Sequence, residues 1–306
     1  MIELLYKVLF NLSKAGKEDT SVFNILRKTS KLLINIIYPI SLKLFRRREI
    51  GIEPNSNHNV IISLTSFPAR INYIWLSIET LLRQETKPNK IILWLAESQF
   101  KGLENLPSEL LKLQKRGLTI RFCEDLRSHK KYYYTMKEFP NSNIVIVDDD
   151  MFYPKDLITN LLETSNKYPE TICCTRGHYI QYEEDEVLPY SKWLRKVDII
   201  YPSYALCPTG CGGVLYPPNS LNESVFRKND IKELCINADD LWLKIMSLLN
   251  QTKAVKTDPN MIGFIDIIQT QKVKLTKLNV GENMNDIQLK NILKKYKINP
   301  KEYFRR

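Results

Sequence analysis

The sequence predicts an α/β fold, in which a largely parallel β-sheet carries helices on its faces. Short apolar runs rich in β-branched residues alternate with stretches of helical spacing between residues 60 and 175. The chain has 306 residues and is 43% hydrophobic, which is enough to bury a substantial core. Its ten glycines and 15 prolines exclude fibrous and low-complexity proteins.

Predicted strands and helices follow one another in a regular order. The apolar runs predict five strands, at 60–65, 90–96, 118–123, 143–147 and 171–175. Helical spacing predicts helices between them, around 71–82, 106–114 and 130–138, and a further helix opened by Pro154. In parallel sheets, ligands bind beyond the carboxyl ends of the strands. The residues directly after each strand are therefore the first candidates for chemistry.

Residues 1–57 are predicted to form a basic, amphipathic helical extension and a linker. Apolar residues recur at helical spacing from Val22 to Ile40, interleaved with basic residues. The apolar run 32–45 is too short to span a bilayer and is broken by Pro39. Two interpretations remain open, because such a segment either lies in a membrane interface or forms a helical hairpin on the main domain.

The net charge of +11 lies at the two ends of the chain. Residues 1–57 carry +5 and residues 271–306, a predicted basic helical tail, carry +7, whereas residues 58–270 carry −1. A nucleic-acid-binding protein more often has its basic residues on the folded body, so we predict no nucleic-acid partner. Basic ends on a neutral body suit an anionic membrane surface, although they also aid solubility.

The cysteines and histidines do not form the pattern of a zinc site. Cys207 and Cys211 are a C-x3-C pair without a second pair, and the chain has three histidines. Lys7 interrupts the first apolar stretch, so the N-terminus is a poor secretory signal. We therefore expect reduced, buried cysteines in a cytoplasmic protein.

An acidic triplet, Asp148, Asp149 and Asp150, directly follows the fourth predicted strand. The alternation of a strand directs Asp148 and Asp150 to one side and Asp149 to the other. Two carboxylates on one side are natural ligands for Mg²⁺ or Mn²⁺. The alternative is an acidic loop that stabilises the start of the next helix through its dipole, for which one Asp would suffice.

Polar and aromatic side chains also follow the first and third strands. The first strand is followed by two hydroxyls, an aromatic face and a cation that together suit a nucleotide and its phosphates: Thr65, Ser66, Phe67 and Arg70. The third is followed by a carboxylate for a base or ribose and by three cations for a diphosphate: Asp125, Arg127, Lys130 and Lys131. The alternatives are an ordinary turn and a solvated face followed by core aromatics.

A glycine-rich segment, 208–218, is a candidate acceptor site. Gly210, Gly212 and Gly213 allow close backbone approach, or bends that large residues forbid. Trp193, Tyr201 and Tyr204 precede them as an aromatic platform for a sugar. The alternative is a glycine-rich hairpin in the core.

The segment 237–249 starts a helix with two carboxylates in its first turn. Asn237 is the predicted N-cap, and Asp240 three residues later resembles a capping box. The functional interpretation of Asp240 is a general base. The two roles are compatible, because a helix N-terminus holds a carboxylate in place.

Four motifs, taken in chain order over residues 58–270, resemble those of bacterial nucleotide-sugar glycosyltransferases of the GT-A fold. They are S-L-T-S-F-P-A-R-I, the acidic triplet, G-G-V-L-Y-P-P and D-D-L-W-L. The resemblance implies a mixed, mostly parallel nucleotide-binding sheet. It also implies transfer of a sugar from a nucleoside diphosphate sugar to a growing glycan or lipid-linked acceptor of a surface polysaccharide such as capsule. The enzyme would lie on the inner face of the cytoplasmic membrane.

The resemblance also implies roles for individual residues. Asp148 and Asp150 would form a D-x-D motif that holds Mn²⁺ or Mg²⁺ on the donor's diphosphate. The donor pocket would be lined by Thr65, Phe67, Arg70, Asp125, Lys130, Lys131 and Asp149. Asp240 would be the base of an inverting transfer, with Asp239 in the first position of the acidic pair. The acceptor side would contain Trp193, Gly212 and Gly213.

Two other classes of function remain open at this point. A nucleotidyltransferase or phosphotransferase uses a similar acidic triplet, but its expected phosphate loop is missing, because the sequence has no P-loop or G-x-G-x-x-G motif. A non-catalytic, membrane-peripheral binding protein is the other alternative.

Overall fold

The structure is a computed structural model that describes residues 21–45, 47–183, 186–195, 200–257, 264–272, 283–299 and 302–303. Residues 1–20, which the sequence predicts to be helical, lie outside the described residues, and so do parts of the predicted C-terminal tail. Among the helices that are described, none is both long and apolar enough to cross a membrane.

The strands, in chain order, are β1 Val60–Thr65, β2 Lys90–Ala96, β3 Leu118–Cys123, β4 Asn143–Ile146, β5 Met151–Phe152, β6 Ile172–Cys174, β7 Gly177–Tyr179, β8 Tyr182–Glu183, β9 Glu186–Val187, β10 Leu194–Arg195, β11 Leu206–Pro208, β12 Val214–Tyr216, β13 Ala254–Lys256 and β14 Ile265–Asp266. The α-helices are α1 Ser21–Leu44, α2 Ile74–Leu81, α3 Ser108–Leu111, α4 Lys130–Glu138, α5 Leu157–Lys167, α6 Lys228–Leu234, α7 Asp239–Leu249 and α8 Met284–Lys295.

The central sheet has seven strands in the order β13-β6-β12-β4-β1-β2-β3. β1 pairs in parallel with β2 and with β4, β2 pairs in parallel with β3, and β13 with β6. β12 runs antiparallel between β4 and β6. The sheet is therefore mixed and mostly parallel, as the sequence predicts. A smaller sheet, β10-β7-β11, lies beside it in the chain's second half.

Alternating residues of the central strands pack into two hydrophobic clusters, one on each face of the sheet. From β1, Ile62 and Leu64 join the cluster that contains α2 and α5, whereas Ile61 joins the cluster that contains α4 and α7. Because both faces are covered, the strands are nearly continuous apolar runs. This explains why their bounds are visible in the sequence.

The predicted start of the helix after the acidic triplet is wrong. Pro154 does not open α5, which begins at Leu157. Instead, the Pro154 carbonyl accepts hydrogen bonds from the Leu157 N–H at 3.3 Å and from the Gln84 side chain at 2.7 Å. Pro154 thus lies in the turn before the helix.

The predicted break at Pro39 is also wrong, because α1 continues through it. Proline inside a helix costs about 3 kcal/mol. Ile34 and Leu42, on either side of it, are both buried against the domain, and Tyr38 packs on Phe152 with ring centroids 5.0 Å apart. This burial offsets the cost and keeps the helix continuous.

The other face of α1 is apolar and exposed to solvent. Its large hydrophobic side chains are 44–74% exposed: Ile25, Leu26, Leu32, Leu33, Ile36, Ile40, Leu44 and the adjoining Phe45. α1 therefore packs on the domain as one continuous helix over Ser21–Leu44, and it also presents the apolar face that the membrane interpretation requires.

The C-terminal helix α8 belongs to the same core as α7. Leu289 and Ile292 are buried in the cluster that contains Trp242. All six cysteines are free, as predicted, and all but the half-buried Cys211 are buried.

Candidate functional site

The carboxyl ends of β1, β3, β4 and β6 open into one cleft of about 700 Å³. The residues that follow these strands line it, together with Asp239 and Asp240 from the first turn of α7. The cleft therefore lies at the sheet edge where strand topology predicts ligand binding. It brings together the acidic triplet and the α7 carboxylates, which are about 90 residues apart in the chain.

Asp149 forms a buried ion pair with Arg70. Its carboxylate accepts a hydrogen bond of 2.5 Å from the Ser66 hydroxyl and one of 2.6 Å from Arg70, whose guanidinium also lies 3.1 Å from Asp150. Burial raises the pKa of Asp149, although Arg70 and Ser66 oppose the rise. Asp149 and Arg70, both predicted to bind the donor, thus tie the loop after β1 to the loop after β4. The Arg70 guanidinium lies 5.4 Å from the centre of the Phe67 ring.

Asp148 and Asp150 are the candidate metal ligands. The side chain of Asp148 is 32% exposed, and that of Asp150 is 12% exposed. Burial and the negative charge of Asp148 raise the pKa of Asp150 to about 7. Gln271 donates a hydrogen bond of 3.2 Å to the Asp150 carboxylate. Two crowded carboxylates of this kind are stabilised by a cation.

The donor set fits Mg²⁺ or Mn²⁺ held jointly with a substrate. Within the part of the chain that the structure describes, no three His, Cys, Asp or Glu side chains form a ready-made metal site. Mg²⁺ typically takes one or two protein carboxylates and completes its shell with waters and substrate phosphates. Asp148 and Asp150 supply that number of carboxylates.

Lys131 is buried between the triplet and α7. Its ammonium group lies 2.8 Å from Asp148 and 2.8 Å from Asp239. Burial lowers the pKa of Lys131, but the surrounding carboxylates outweigh it and hold that pKa well above its usual value. Conversely, burial raises the pKa of Asp239, but Lys131 and His129 bring it below its usual value. Lys131, predicted to neutralise a diphosphate, therefore neutralises two of the protein's own carboxylates.

Asp240 is not part of a helix cap. The N-cap residue of α7 is Ala238, with no side-chain cap, so the predicted Asn237 cap and capping box are wrong. The Asp240 carboxylate instead accepts a hydrogen bond of 3.0 Å from the Gly210 N–H of the glycine-rich loop. Burial and the charge of Asp239 raise the pKa of Asp240 to about 7. A carboxylate with a pKa near the working pH is suited to general-base catalysis.

The remaining donor-side residues lie in or beside the cleft. The Thr65 hydroxyl donates to the Trp94 carbonyl at 2.8 Å, so it is engaged in the sheet. The Phe67 ring lines the cleft. Asp125 accepts hydrogen bonds from Lys130 and from the Arg127 N–H. Although burial raises the pKa of Asp125, these two bonds lower it overall.

Trp193, Gly212 and Gly213, the predicted acceptor residues, do not line the cleft. Trp193 is buried, and its indole N–H donates to the Leu188 carbonyl at 2.8 Å. A Cβ on Gly212 would lie 2.4 Å from the Thr175 hydroxyl oxygen, and Gly213 has a φ of 92°, which favours glycine. These glycines are required for packing. The residue of this loop that approaches the site is Gly210, where a Cβ would lie 2.6 Å from the Lys131 ammonium.

The sequence analysis missed several side chains that line the cleft: Arg176, His178, Tyr190, Arg195, Asp266, Gln271 and Asn285. Arg176 comes two residues after β6, so the rule that located the acidic triplet would also have found it. His178, Arg195 and Asp266 lie in short strands and Tyr190 and Gln271 in short 3₁₀ helices, which have no periodic pattern, whereas Asn285 lies in the first turn of α8.

No protein-family model and no curated protein matches the chain. Similar solved structures include GT-A-type glycosyltransferases and nucleotidyltransferases. S. aureus TarS 1–349 is 14% identical over 77% of this chain and 65% of that chain, with a TM-score of 0.47. The mannosyltransferase PcManGT from Pyrobaculum calidifontis, in complex with GDP-Man and Mn²⁺, is 12% identical over 85% and 67%, with a TM-score of 0.40. The inositol-1-phosphate CTP transferase from T. maritima is 10% identical over 76% and 97%, with a TM-score of 0.38. The chain thus spans just under two thirds of the TarS chain.

Proposed function

We propose that this protein transfers a sugar from a nucleoside diphosphate sugar to a hydroxyl group of a glycan or lipid-linked acceptor. The observation that carries the proposal is the geometry of the carboxylates in one cleft. Asp148 and Asp150 form a crowded pair, while Asp240 is held separately by the Gly210 N–H. The pair suits a cation and a diphosphate, and Asp240 suits a hydroxyl that must lose its proton.

On the donor side, the chain supplies a stacking surface, hydrogen-bond acceptors and metal ligands. Phe67 offers its ring to a nucleobase and Asp125 offers a carboxylate to a base or ribose. Asp148 and Asp150 would hold Mn²⁺ or Mg²⁺, which stabilises the charge of a diphosphate leaving group when bound. Arg70 positions Asp150, because its guanidinium contacts both Asp149 and Asp150.

On the acceptor side, Asp240 removes the proton. A sugar hydroxyl is a very weak acid, so attack on the anomeric carbon requires a base as the bond to the diphosphate breaks. The Gly210 N–H fixes one carboxylate oxygen of Asp240, and the second can accept the proton. A single displacement of this kind inverts the anomeric configuration.

Nucleotidyl transfer to a sugar phosphate is the alternative that the same carboxylate pair permits. A phosphate acceptor is already an anion at neutral pH and needs no general base. The position of Asp240 in the cleft therefore favours a hydroxyl acceptor. The two reactions release different products, since nucleotidyl transfer from a nucleoside triphosphate releases pyrophosphate.

The decisive first experiment measures the melting temperature with UDP, GDP and CDP, each with and without Mn²⁺. We expect at least one nucleotide to raise it only when Mn²⁺ is present. Asp150→Asn should abolish this rise and leave the unliganded protein at least as stable, because it relieves repulsion. Asp156→Asn, which makes the same change outside the cleft, should keep the rise.

A donor screen then identifies the reaction by scoring hydrolysis of UDP-, GDP- and CDP-sugars and transfer to an added glycan. Protection by nucleotides that is independent of Mn²⁺ and unchanged in Asp150→Asn would contradict the metal assignment. Nucleotide binding without turnover of any donor would favour the non-catalytic alternative.

We also propose that the protein attaches peripherally to the inner face of the cytoplasmic membrane through α1. Ile36 and Ile40 on its outer face are 51% and 53% exposed, and an apolar helical face flanked by basic residues suits an anionic lipid surface. The double substitution Ile36→Ser, Ile40→Ser should reduce co-sedimentation with phosphatidylglycerol-containing vesicles. Ile287→Ser on α8, where the side chain is 50% exposed, is the matched control. An equal loss of vesicle binding in both variants would contradict membrane attachment through α1.

A further inference from the structure

A cationic surface lines the cleft from the small sheet β10-β7-β11. It consists of Arg176, His178 and Arg195, all of which line the cleft. Arg195 lies directly opposite His178 in the antiparallel pairing of β10 with β7. Arg176 precedes His178 by two residues, and residues two apart on extended chain share one face. The three side chains are therefore directed to the same side of the small sheet.

These side chains lack acidic partners among the described residues. Neither Arg176 nor Arg195 forms an ion pair there, and Arg176 instead lies 2.8 Å from the Cys211 sulfur, a weak acceptor. His178 is only 5% exposed, and within the described ranges its Nδ1 has no hydrogen-bond partner. Burial, reinforced by the two arginines, lowers the pKa of His178 to about 4, so its ring is neutral at pH 7. A buried ring nitrogen without a partner points to a missing ligand.

Three other cations of the cleft are already neutralised by ion pairs with carboxylates of the protein. Arg70 pairs with Asp149, Lys130 with Asp125, and Lys131 with Asp148 and Asp239. The cationic surface therefore contrasts with Arg70, Lys130 and Lys131 on the donor side, whose positive charges are paired with the protein's own carboxylates.

We propose that the cationic surface of Arg176, His178 and Arg195 binds an oxyanion of the acceptor, either a phosphate or a carboxylate. Arginine guanidinium groups match both anions in geometry and charge, and a neutral imidazole can donate one further hydrogen bond. The acceptor is assigned because Arg176 contacts Cys211, and the N–H of the adjacent Gly210 donates to the Asp240 carboxylate. The bound anion would thus lie beside the base that receives the acceptor's proton. This inference rests on the proposed sugar transfer.

The test compares the binding of glucose 6-phosphate, glucuronic acid and glucose to the full chain, with and without UDP and Mg²⁺. We expect the wild-type protein to bind at least one charged sugar about tenfold or more tightly than glucose. Arg195→Gln and Arg176→Gln should remove most of this preference. Lys192→Gln also removes one positive charge, at an exposed position of the same segment that lies outside the cleft. This control variant should retain the preference for the charged sugar. The charged sugar that the wild type prefers distinguishes a phosphate from a carboxylate.

Three results would overturn the inference. One is equal binding of glucose and both charged sugars by the wild-type protein. Another is an unchanged preference in Arg195→Gln. Because Arg195 is exposed, its substitution should leave the protein folded, and the melting temperature of the variant checks this. The third is a parallel loss of UDP affinity in Arg195→Gln, which would assign the cations to the donor's diphosphate. Failure of every nucleotide to bind is a separate result, and it would contradict the proposed sugar transfer.

Discussion

Replacing Asp240 by Asn distinguishes a catalytic base from a structural role, because the two predict opposite changes in stability. The Asp240 Oδ1 accepts the Gly210 N–H at 3.0 Å, and the amide oxygen of Asn can accept the same bond. The substitution therefore keeps the local geometry while it removes one negative charge beside Asp239 and Asp148. If Asp240 served only to cap the helix or to hold the glycine-rich loop, this substitution would not increase the free energy of unfolding.

The magnitude follows from the pKa of Asp240. Burial and the charge of Asp239 raise that pKa from 3.8 to about 7. Each pKa unit corresponds to about 1.4 kcal/mol, which sets a ceiling of about 4 kcal/mol for the cost of ionising Asp240 in the folded protein. Because the side chain is partly open to the cleft, we expect a gain of about 1–2 kcal/mol in Asp240→Asn at pH 8.

The sign depends on pH. The folded protein holds the Asp240 proton more tightly than the unfolded chain, so wild-type stability falls as pH rises from about 4 to about 7. Above that window the cost is fully present, and below it the cost disappears. The advantage of Asp240→Asn should therefore be greatest at pH 8 and vanish near pH 4.

Urea denaturation at pH 5 and pH 8 in the presence of EDTA measures the stability difference, and a transfer assay with metal measures the rate. We expect Asp240→Asn to transfer sugar at least about a hundredfold more slowly while it binds nucleotide normally. If Asp240→Asn were less stable than the wild type at pH 8, the result would support a structural role for Asp240. A nearly wild-type rate would exclude Asp240 as the base and direct attention to Asp239, and a product with retained configuration would exclude single displacement.

Two further predictions concern buried charges. Arg70→Gln leaves the carboxylate of Asp149 buried without its cation, so the free energy of unfolding should fall by about 3–5 kcal/mol, whereas Arg121→Gln, which breaks an exposed pair, should cost less than about 1 kcal/mol. Urea denaturation at pH 7 compares the two, and equal losses would contradict the internal ion pair. Burial lowers the pKa of Lys244 to about 8, and in the described part of the chain its ammonium has no hydrogen-bond partner. Wild-type stability should therefore rise with pH between about 8 and 10.5, and Lys244→Met should be more stable than wild type at pH 7 but not near pH 10.5; a less stable variant at pH 7 in thermal melts would contradict this.

The strands that the sequence predicts correctly are those with continuous burial. β1, β2 and β3 begin and end at the predicted residues, because apolar β-branched runs bounded by turns are sufficient to define a strand covered on both faces. The antiparallel strand β12 is different. Its three residues follow glycines, and its position depends on pairing with β4 and β6, which are distant in the chain. Local pattern carries no information about such pairing.

The candidate site shows the same division. Strand-end topology predicts that the acidic triplet and the loop after β1 share one cleft. It does not predict which charges bind one another. Three cations expected on the phosphates of a nucleotide, Arg70, Lys130 and Lys131, form ion pairs with carboxylates instead. Trp193 was misplaced because irregular segments have no period from which a side-chain direction can be inferred.

The role of α1 extends beyond its exposed face, because hydrogen bonds connect it to the candidate metal site. The Asn35 side chain donates to the Asp266 carbonyl and accepts from the Ile268 N–H. Between these two residues, the Ile267 N–H donates to the Asp150 carbonyl at 2.8 Å. Deletion of α1 would therefore remove the support of the segment beside Asp150 together with any membrane contact. Substitution of Ile36 and Ile40, which leaves these bonds in place, is for that reason the cleaner test of attachment, and a truncated chain that loses activity would not by itself implicate the membrane.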